Sequence, residues 1–174
     1  MSKHEASKHS NQPGKLKLEA VISDFSNVLL FASANQPRSP MSWYYSELQG
    51  DEDELATFSL NEELLEYYLD LSHQGIRCAL LTAANTLPRH PRIKPMLDRV
   101  FAEYFFSQEI GLSKADPRCY EHVLAELGTN PYNSLFIDDS LSNCQAAESV
   151  GLQTHHFQGN IHLFREIEKK FSIK

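Results

Sequence analysis

The sequence predicts an α/β fold built around a parallel sheet. Short apolar runs rich in β-branched residues alternate with segments of helical periodicity, roughly five of each. Three of those runs stop at a polar residue: AVIS before Asp24, CALL before Thr82, and SLFI before Asp138 and Asp139. The length of 174 residues suits one domain of ordinary size.

Residues 1–15 hold almost nothing apolar, so a mobile tail is expected there. His4 and His9 lie in it and are read as solvated. LKLEAVIS is the first buried strand, ending at Asp24. Residues 32–60 are rich in proline, serine and acids around SWYYSEL, which predicts an inserted loop with one short helix. Trp43, Tyr44 and Tyr45 either stack on a substrate or pack on the core edge, the second being the commoner fate of aromatics. Leu64, Leu65, Tyr68, Leu69 and Leu71 then recur at helical spacing, with Asn61 as the cap, acids in the first turn and Gly75 at the end. IRCALL is the second strand, and the three prolines of TLPRHPRIKPMLDRV allow only a short or broken helix. EYFFS is the third strand. DPRCYEHVLAELG is a helix capped by Asp116, with Pro117 in its first turn and Gly128 at its end. NSLFI, SNCQAAESVG, LQTHHF and HLFREIEKKF complete the alternation as strand, helix, strand and helix.

Lysine plus arginine is 16 and aspartate plus glutamate 23, giving a net charge of −7. An acidic chain lacks the basic footprint of sequence-independent nucleic-acid binding, so no nucleic-acid partner is expected. Nothing approaches the ~20 apolar residues of a membrane helix. No apolar stretch near the start resembles a secretory signal, so a cytoplasmic location is expected. Cys78, Cys119 and Cys144 are odd in number and far apart, which suits reduced, packed thiols.

The chemistry is expected where the strands end. In open α/β sheets, ligands bind outside the carboxyl ends of the strands. If the three strands are neighbours, Asp24, Thr82, Asp138 and Asp139 share one crevice. Three carboxylates so close require either a proton or a cation among them, and hard oxygen ligands suit Mg²⁺. A metal beside carboxylates points to phosphoryl chemistry. Lys114, just before the Asp116 helix, is the candidate for holding phosphate oxygens. His155 and His156 are neighbours on one strand and face opposite sides, so they are read as structural. His90 and Arg92 are read as a solvated loop.

With these motifs in view, the chain resembles the haloacid dehalogenase superfamily, whose members are mostly Mg²⁺-dependent phosphatases. SDFSNVLL resembles its first motif, LLTAANT its second, FFSQEIGLSKADPRCYEHVLAELG its third and LFIDDSLSNCQAAESVGLQTHHF its fourth, over about residues 17–171. The resemblance implies a Rossmann-like three-layer sandwich at residues 16–174, with a five-stranded parallel sheet and a short cap at about 32–60. It implies Asp24 as the nucleophile of an aspartyl-phosphate mechanism. Mg²⁺ would bind Asp24, the Ser26 carbonyl, Asp139 and, directly or through water, Asp138. Thr82, the backbone near Ala83, and Lys114 would hold phosphate, while Ser140 and Asn143 would orient the acidic loop. The substrate would be a phosphorylated small molecule or an exposed phosphoester on a larger one.

Two departures stand out. The family's first motif is Asp-x-Asp-Gly, and here it reads Asp24-Phe25-Ser26-Asn27. The second aspartate protonates the leaving group, a contribution of about 10²–10⁴-fold that serine does not make near neutral pH. Asn27 in the glycine position tolerates a left-handed backbone better than most residues. The second departure is the short cap, which predicts an open site. The alternatives to a phosphatase are a catalytically impaired binding or regulatory protein, favoured by Ser26 and the small cap, a carbon–halogen hydrolase, disfavoured by the retained acidic pair, and phosphoryl transfer between substrates.

Overall fold

A computed structural model describes residues 14–32 and 57–173. Two expectations therefore fall largely outside the described residues: the tail at 1–15 with His4 and His9, and the cap at 32–60 with Trp43, Tyr44 and Tyr45.

Strand β1 (Leu16–Lys17) leads into β2 (Ala20–Ser23). A turn then enters β3 (Leu30–Ala32), which pairs antiparallel with β4 (Phe58–Leu60). Helix α1 (Glu62–His73), β5 (Arg77–Thr82), a 3₁₀ turn at Leu87–Arg89 and the short α2 (Lys94–Leu97) follow. Next come β6 (Glu103–Phe106), the short α3 (Ser107–Ile110), and α4 (Pro117–Leu127). The chain closes with β7 (Ser134–Asp138), α5 (Leu141–Ser149), β8 (Gln153–His156), α6 (Asn160–Lys170) and β9 (Phe171–Ser172).

The predicted α/β class holds. The main sheet has five parallel strands in the order β6-β5-β2-β7-β8. Residue alternation along the strands builds two cores. Val21, Leu80, Leu135 and Ile137 face α1 and α6 through Leu64, Tyr68, Leu163 and Ile167. Ile22, Ala79, Leu81 and Phe136 face α4 and α5 through Tyr120, Val123, Ala146 and Ala147. The result is a three-layer sandwich. The buried thiols of Cys78, Cys119 and Cys144 are free, as expected, and burial pushes Cys78 and Cys144 up to about 12.

Three local features differ from the sequence reading. Residues 58–60 form a strand rather than part of a loop, because Phe58 and Leu60 pack against the α1 face of the sheet while backbone pairing with Leu30–Ala32 fixes the register. The two-residue β1 pairs parallel with β9, and so ties the start of the described chain to its end. The α3 turn follows β6 directly and stops at Gly111, whose φ of 77° is left-handed.

The predicted caps form. Asn61 accepts a hydrogen bond from the Leu64 amide at 3.3 Å, and Asp116 accepts from the Arg118 amide at 3.0 Å. Asn61 has a second task. Its amide donates to Asn160 at 2.8 Å and to the Val28 carbonyl at 3.0 Å, while Asn160 donates back at 2.9 Å. This reciprocal pair fastens the start of α1 to the start of α6. Asn61→Ala should cost about 1–2 kcal/mol in urea unfolding. A double-mutant cycle with Asn160→Ala should return a coupling on the order of 1 kcal/mol, and zero coupling would show that the two amides act independently.

Candidate active site

The strand order answers the conditional left by the sequence. β5, β2 and β7 are immediate neighbours, so Thr82, Asp24 and Asp138 emerge side by side at one edge of the sheet. The first core places Asp24 by burying Phe25, Val28, Leu29 and Leu30 in the turn that follows it. The Asp24 amide donates to the Ile137 carbonyl at 2.8 Å, which holds the residue against β7.

Lys114 joins two of the carboxylates. Its Nζ lies 2.6 Å from Asp24 Oδ1 and 2.8 Å from Asp138 Oδ2, and all three side chains are buried. Burial alone would lower the lysine, but the Asp24 and Asp138 charges outweigh it and the ammonium is held above its usual value. Burial pushes the Asp24 carboxyl up to about 7; Lys114 opposes that rise and the Asp138 charge adds to it. Tyr120, buried under α4, carries the lysine loop: its hydroxyl faces the Lys114 carbonyl at 2.6 Å and the Asn143 carbonyl at 3.0 Å.

Asp138 has its oxygens committed. Oδ1 accepts from the Ser140 amide at 2.7 Å, and the Asn143 amide reaches both oxygens at 3.1 Å. Ser140 acts here through its backbone; its hydroxyl meets Ser142 instead, at 2.9 Å. Asp139 is the solvent-facing member of the group. Oxygens of Asp24, Asp138 and Asp139 lie within 4.8 Å of one another. With all three carboxylates ionised, one ammonium would leave two negative charges uncompensated, and the donors are all hard oxygens. That set fits a divalent cation such as Mg²⁺.

Thr82 is buried, and its hydroxyl accepts from the Ala84 amide at 2.9 Å while donating to no described protein group. Ala83 beside it is exposed at the same edge. Ser26 is bridged to Leu30 in the turn after Asp24.

Two residues gain roles that the sequence reading did not give them. Asn27 sits at φ 57°, and its amide donates to Asp139 Oδ2 at 2.8 Å. The left-handed tolerance of asparagine was legible; the clamp on a residue 112 positions away was not. His156, read as structural, places Nε2 3.0 Å from the Asp139 carbonyl and so braces the acidic loop. Its neighbour His155 is turned the other way, buried, with Nδ1 2.6 Å from Glu166, as a structural histidine should be. The Arg92 amide donates to His90 Nδ1 at 3.2 Å within the loop, and the His90 backbone bonds only to nearby residues of the same turn, from Leu87 to Lys94.

A match to the haloacid dehalogenase-like hydrolase family covers residues 18–151. The chain belongs to that family. It is 36% identical over 88 residues to a phosphoglycolate phosphatase of Pseudomonas putida, covering 48% of this chain and 31% of that one. It is 33% identical over 70 residues to a sesquiterpene phosphatase of Aspergillus oryzae, covering 40% and 36%. The chain thus spans about a third of the length of these curated relatives. Among solved structures, a predicted haloacid dehalogenase-like hydrolase from Porphyromonas gingivalis superposes with a TM-score of 0.64 at 20% identity, covering 87% of this chain and 98% of that one. A family enzyme from Bacteroides thetaiotaomicron, in complex with magnesium and inorganic phosphate, superposes at 0.63 and 17% identity over 85% and 100%. No described helix is long and apolar enough to cross a membrane.

The crowded charge predicts a pH signature. The folded state holds the Asp24 proton above the ordinary value of 3.8, so metal-free stability should fall as pH rises from about 4 to about 7 and then level off. Asp24→Asn should remove that decline in thermal unfolding, and added Mg²⁺ should raise the Tm of the parent but not of the variant. A parent whose Tm stays flat across this range would contradict the crowding. Asn27→Gly keeps the backbone and loses the clamp, so the Mg²⁺ needed for half of that Tm gain should rise about tenfold.

Proposed function

We propose that the chain is a Mg²⁺-dependent phosphomonoester hydrolase that works through an aspartyl phosphate on Asp24. The observation that carries this reading is the buried Asp24–Lys114–Asp138 ion triad beside Asp139, at the carboxyl edge of three adjoining strands. Family membership and two relatives named as phosphatases support it.

In this reading a carboxylate oxygen of Asp24 attacks phosphorus in line, the bond to the ester oxygen breaks, and the leaving group departs with its electron pair. Water then attacks the phosphorus of the acyl phosphate, freeing Asp24 and inorganic phosphate. Lys114 holds a phosphoryl oxygen and offsets the charge that builds up. The Thr82 hydroxyl, with a proton to give, and the backbone at Ala83 bind the remaining oxygens. Asp24, Asp139 and the Ser26 carbonyl would hold Mg²⁺, which supplies the positive charge that lets two anions meet. Asp138, whose oxygens are already taken by Lys114, Ser140 and Asn143, serves best by fixing the lysine and the loop. Ser140 and Asn143 thereby keep the acidic loop in place.

Ser26 cannot protonate the leaving group, so turnover depends on how well that group leaves unaided. This is also what favours the second reading, a phosphate-binding protein with little catalysis. Release of nitrophenol from its phosphate ester separates the two. The parent should hydrolyse the ester only with Mg²⁺, and Asp24→Asn should lose the activity by at least about 10³-fold, the scale on which loss of a nucleophile is felt. Activity absent from the parent, or indifferent to that substitution, would overturn the phosphatase reading. Alkyl phosphates should react far more slowly than aryl ones, and Ser26→Asp should narrow the gap by about 10²-fold or more.

A further inference from the structure

A cleft of about 620 Å³ opens beside the acidic cluster, with Asn27 and Asp139 in its wall. We propose that this cleft receives the leaving group of the phosphoester and selects an uncharged aromatic hydroxyl compound. The inference rests on the phosphatase reading, because it is phosphorus seated at Asp24 that would send the ester substituent past Asp139.

Three features of the wall converge. First, Phe31, Leu60 and Phe157 give it an apolar surface, in a volume suited to a small organic group. Second, its amides have little left to offer a polyol. Both hydrogens of the Asn61 amide are spent, on Asn160 and on the Val28 carbonyl. Both hydrogens of the Asn160 amide are spent as well, on Asn61 and, at 2.6 Å, on Glu63. Among the described side chains a sugar or glycerol unit would find only the Gln158 amide and one remaining hydrogen of Asn27 to replace the water lost by several hydroxyls, which disfavours it. Third, no basic side chain lines the cleft among the described residues, whereas Asp139 does and Glu63 stands behind Asn160. A carboxylated or phosphorylated leaving group would enter with no basic side chain of the described wall to pair with it.

Ser26 points the same way by an independent route. Without an acid at that position the leaving oxygen departs as an anion. A phenol, with a pKa of about 10, tolerates this, and an ordinary alcohol, much closer to water at about 15.7, does not.

The test uses the full chain with Mg²⁺ and compares kcat/KM for naphthyl phosphate, carboxyphenyl phosphate and glycerol phosphate. Naphthyl phosphate should lead each of the others by about tenfold or more. Gln158 lines the cleft, is exposed and makes no side-chain hydrogen bond among the described residues, so it accepts a new charge without disturbing the core. Gln158→Lys should shift the ratio toward carboxyphenyl phosphate by about tenfold. A phosphotyrosyl peptide with neutral flanks identifies the source of the aryl group: faster turnover than naphthyl phosphate assigns the cleft to a tyrosyl side chain, slower turnover to a free aryl compound. Carboxyphenyl phosphate matching naphthyl phosphate in the parent, or a ratio unmoved by Gln158→Lys, would overturn the inference while leaving the phosphatase reading intact. Hydrolysis of none of these esters would instead sink that reading. The cleft is then tested alone by NMR titration with free naphthol, where shifts at Phe31 and Leu60 support it and their absence at millimolar naphthol overturns it.

Discussion

The structure depends on one buried ammonium. Lys114 lies between Asp24 and Asp138 with almost no access to water, and each of the three charges is tolerable only because of the others. Buried ion pairs are poor stabilisers, since desolvation offsets most of the attraction, and well-packed apolar side chains of the same volume often do as well or better. Folding alone gives no reason to assemble such a triad at the open edge of a sheet and then set Asp139 beside it. The proposed function supplies a reason: a site that received a dianion and a cation in turn would need charge already fixed in place, so that little reorganisation remained when substrate arrived.

Everything around the triad serves its placement. The parallel sheet delivers Thr82, Asp24 and Asp138 to the same edge because their strands adjoin. The fourth member comes from a loop, and a loop must be pinned. Tyr120 reaches from α4 to the carbonyls of both Lys114 and Asn143, so one hydroxyl spans the lysine loop and the acidic helix. Asn27 and His156 hold Asp139 from opposite ends, one by its carboxylate and one by its carbonyl. The Asn61–Asn160 pair does the same for the neighbouring cleft, and in doing so spends the donors of both of its own amides.

Much of this was legible in the sequence, for definite reasons. Strand ends marked by Asp24, Thr82 and Asp138 are local signals, and so are the caps at Asn61 and Asp116. The motifs around Lys114 and Asp138 are dense enough to identify the family. What escaped was non-local. Residues 58–60 read as loop because three residues give no periodicity, and only their pairing with Leu30–Ala32 makes them a strand. Strand alternation correctly separated His155 from His156 but assigned both to structure, since nothing in a dipeptide reveals that one ring meets the loop after the next strand over. Asn27 was recognised for its backbone and missed for its amide, because its partner lies in the fourth motif.

The central claim is that the carboxylate cluster carries more negative charge than Lys114 neutralises, and that a divalent ion makes up the difference. Calorimetric titration with MgCl₂ measures this directly. The account predicts one ion bound per chain, with binding lost when Asp24 and Asp139 are both changed to Asn. No heat of binding in the parent, or binding that survives the double substitution, would contradict it.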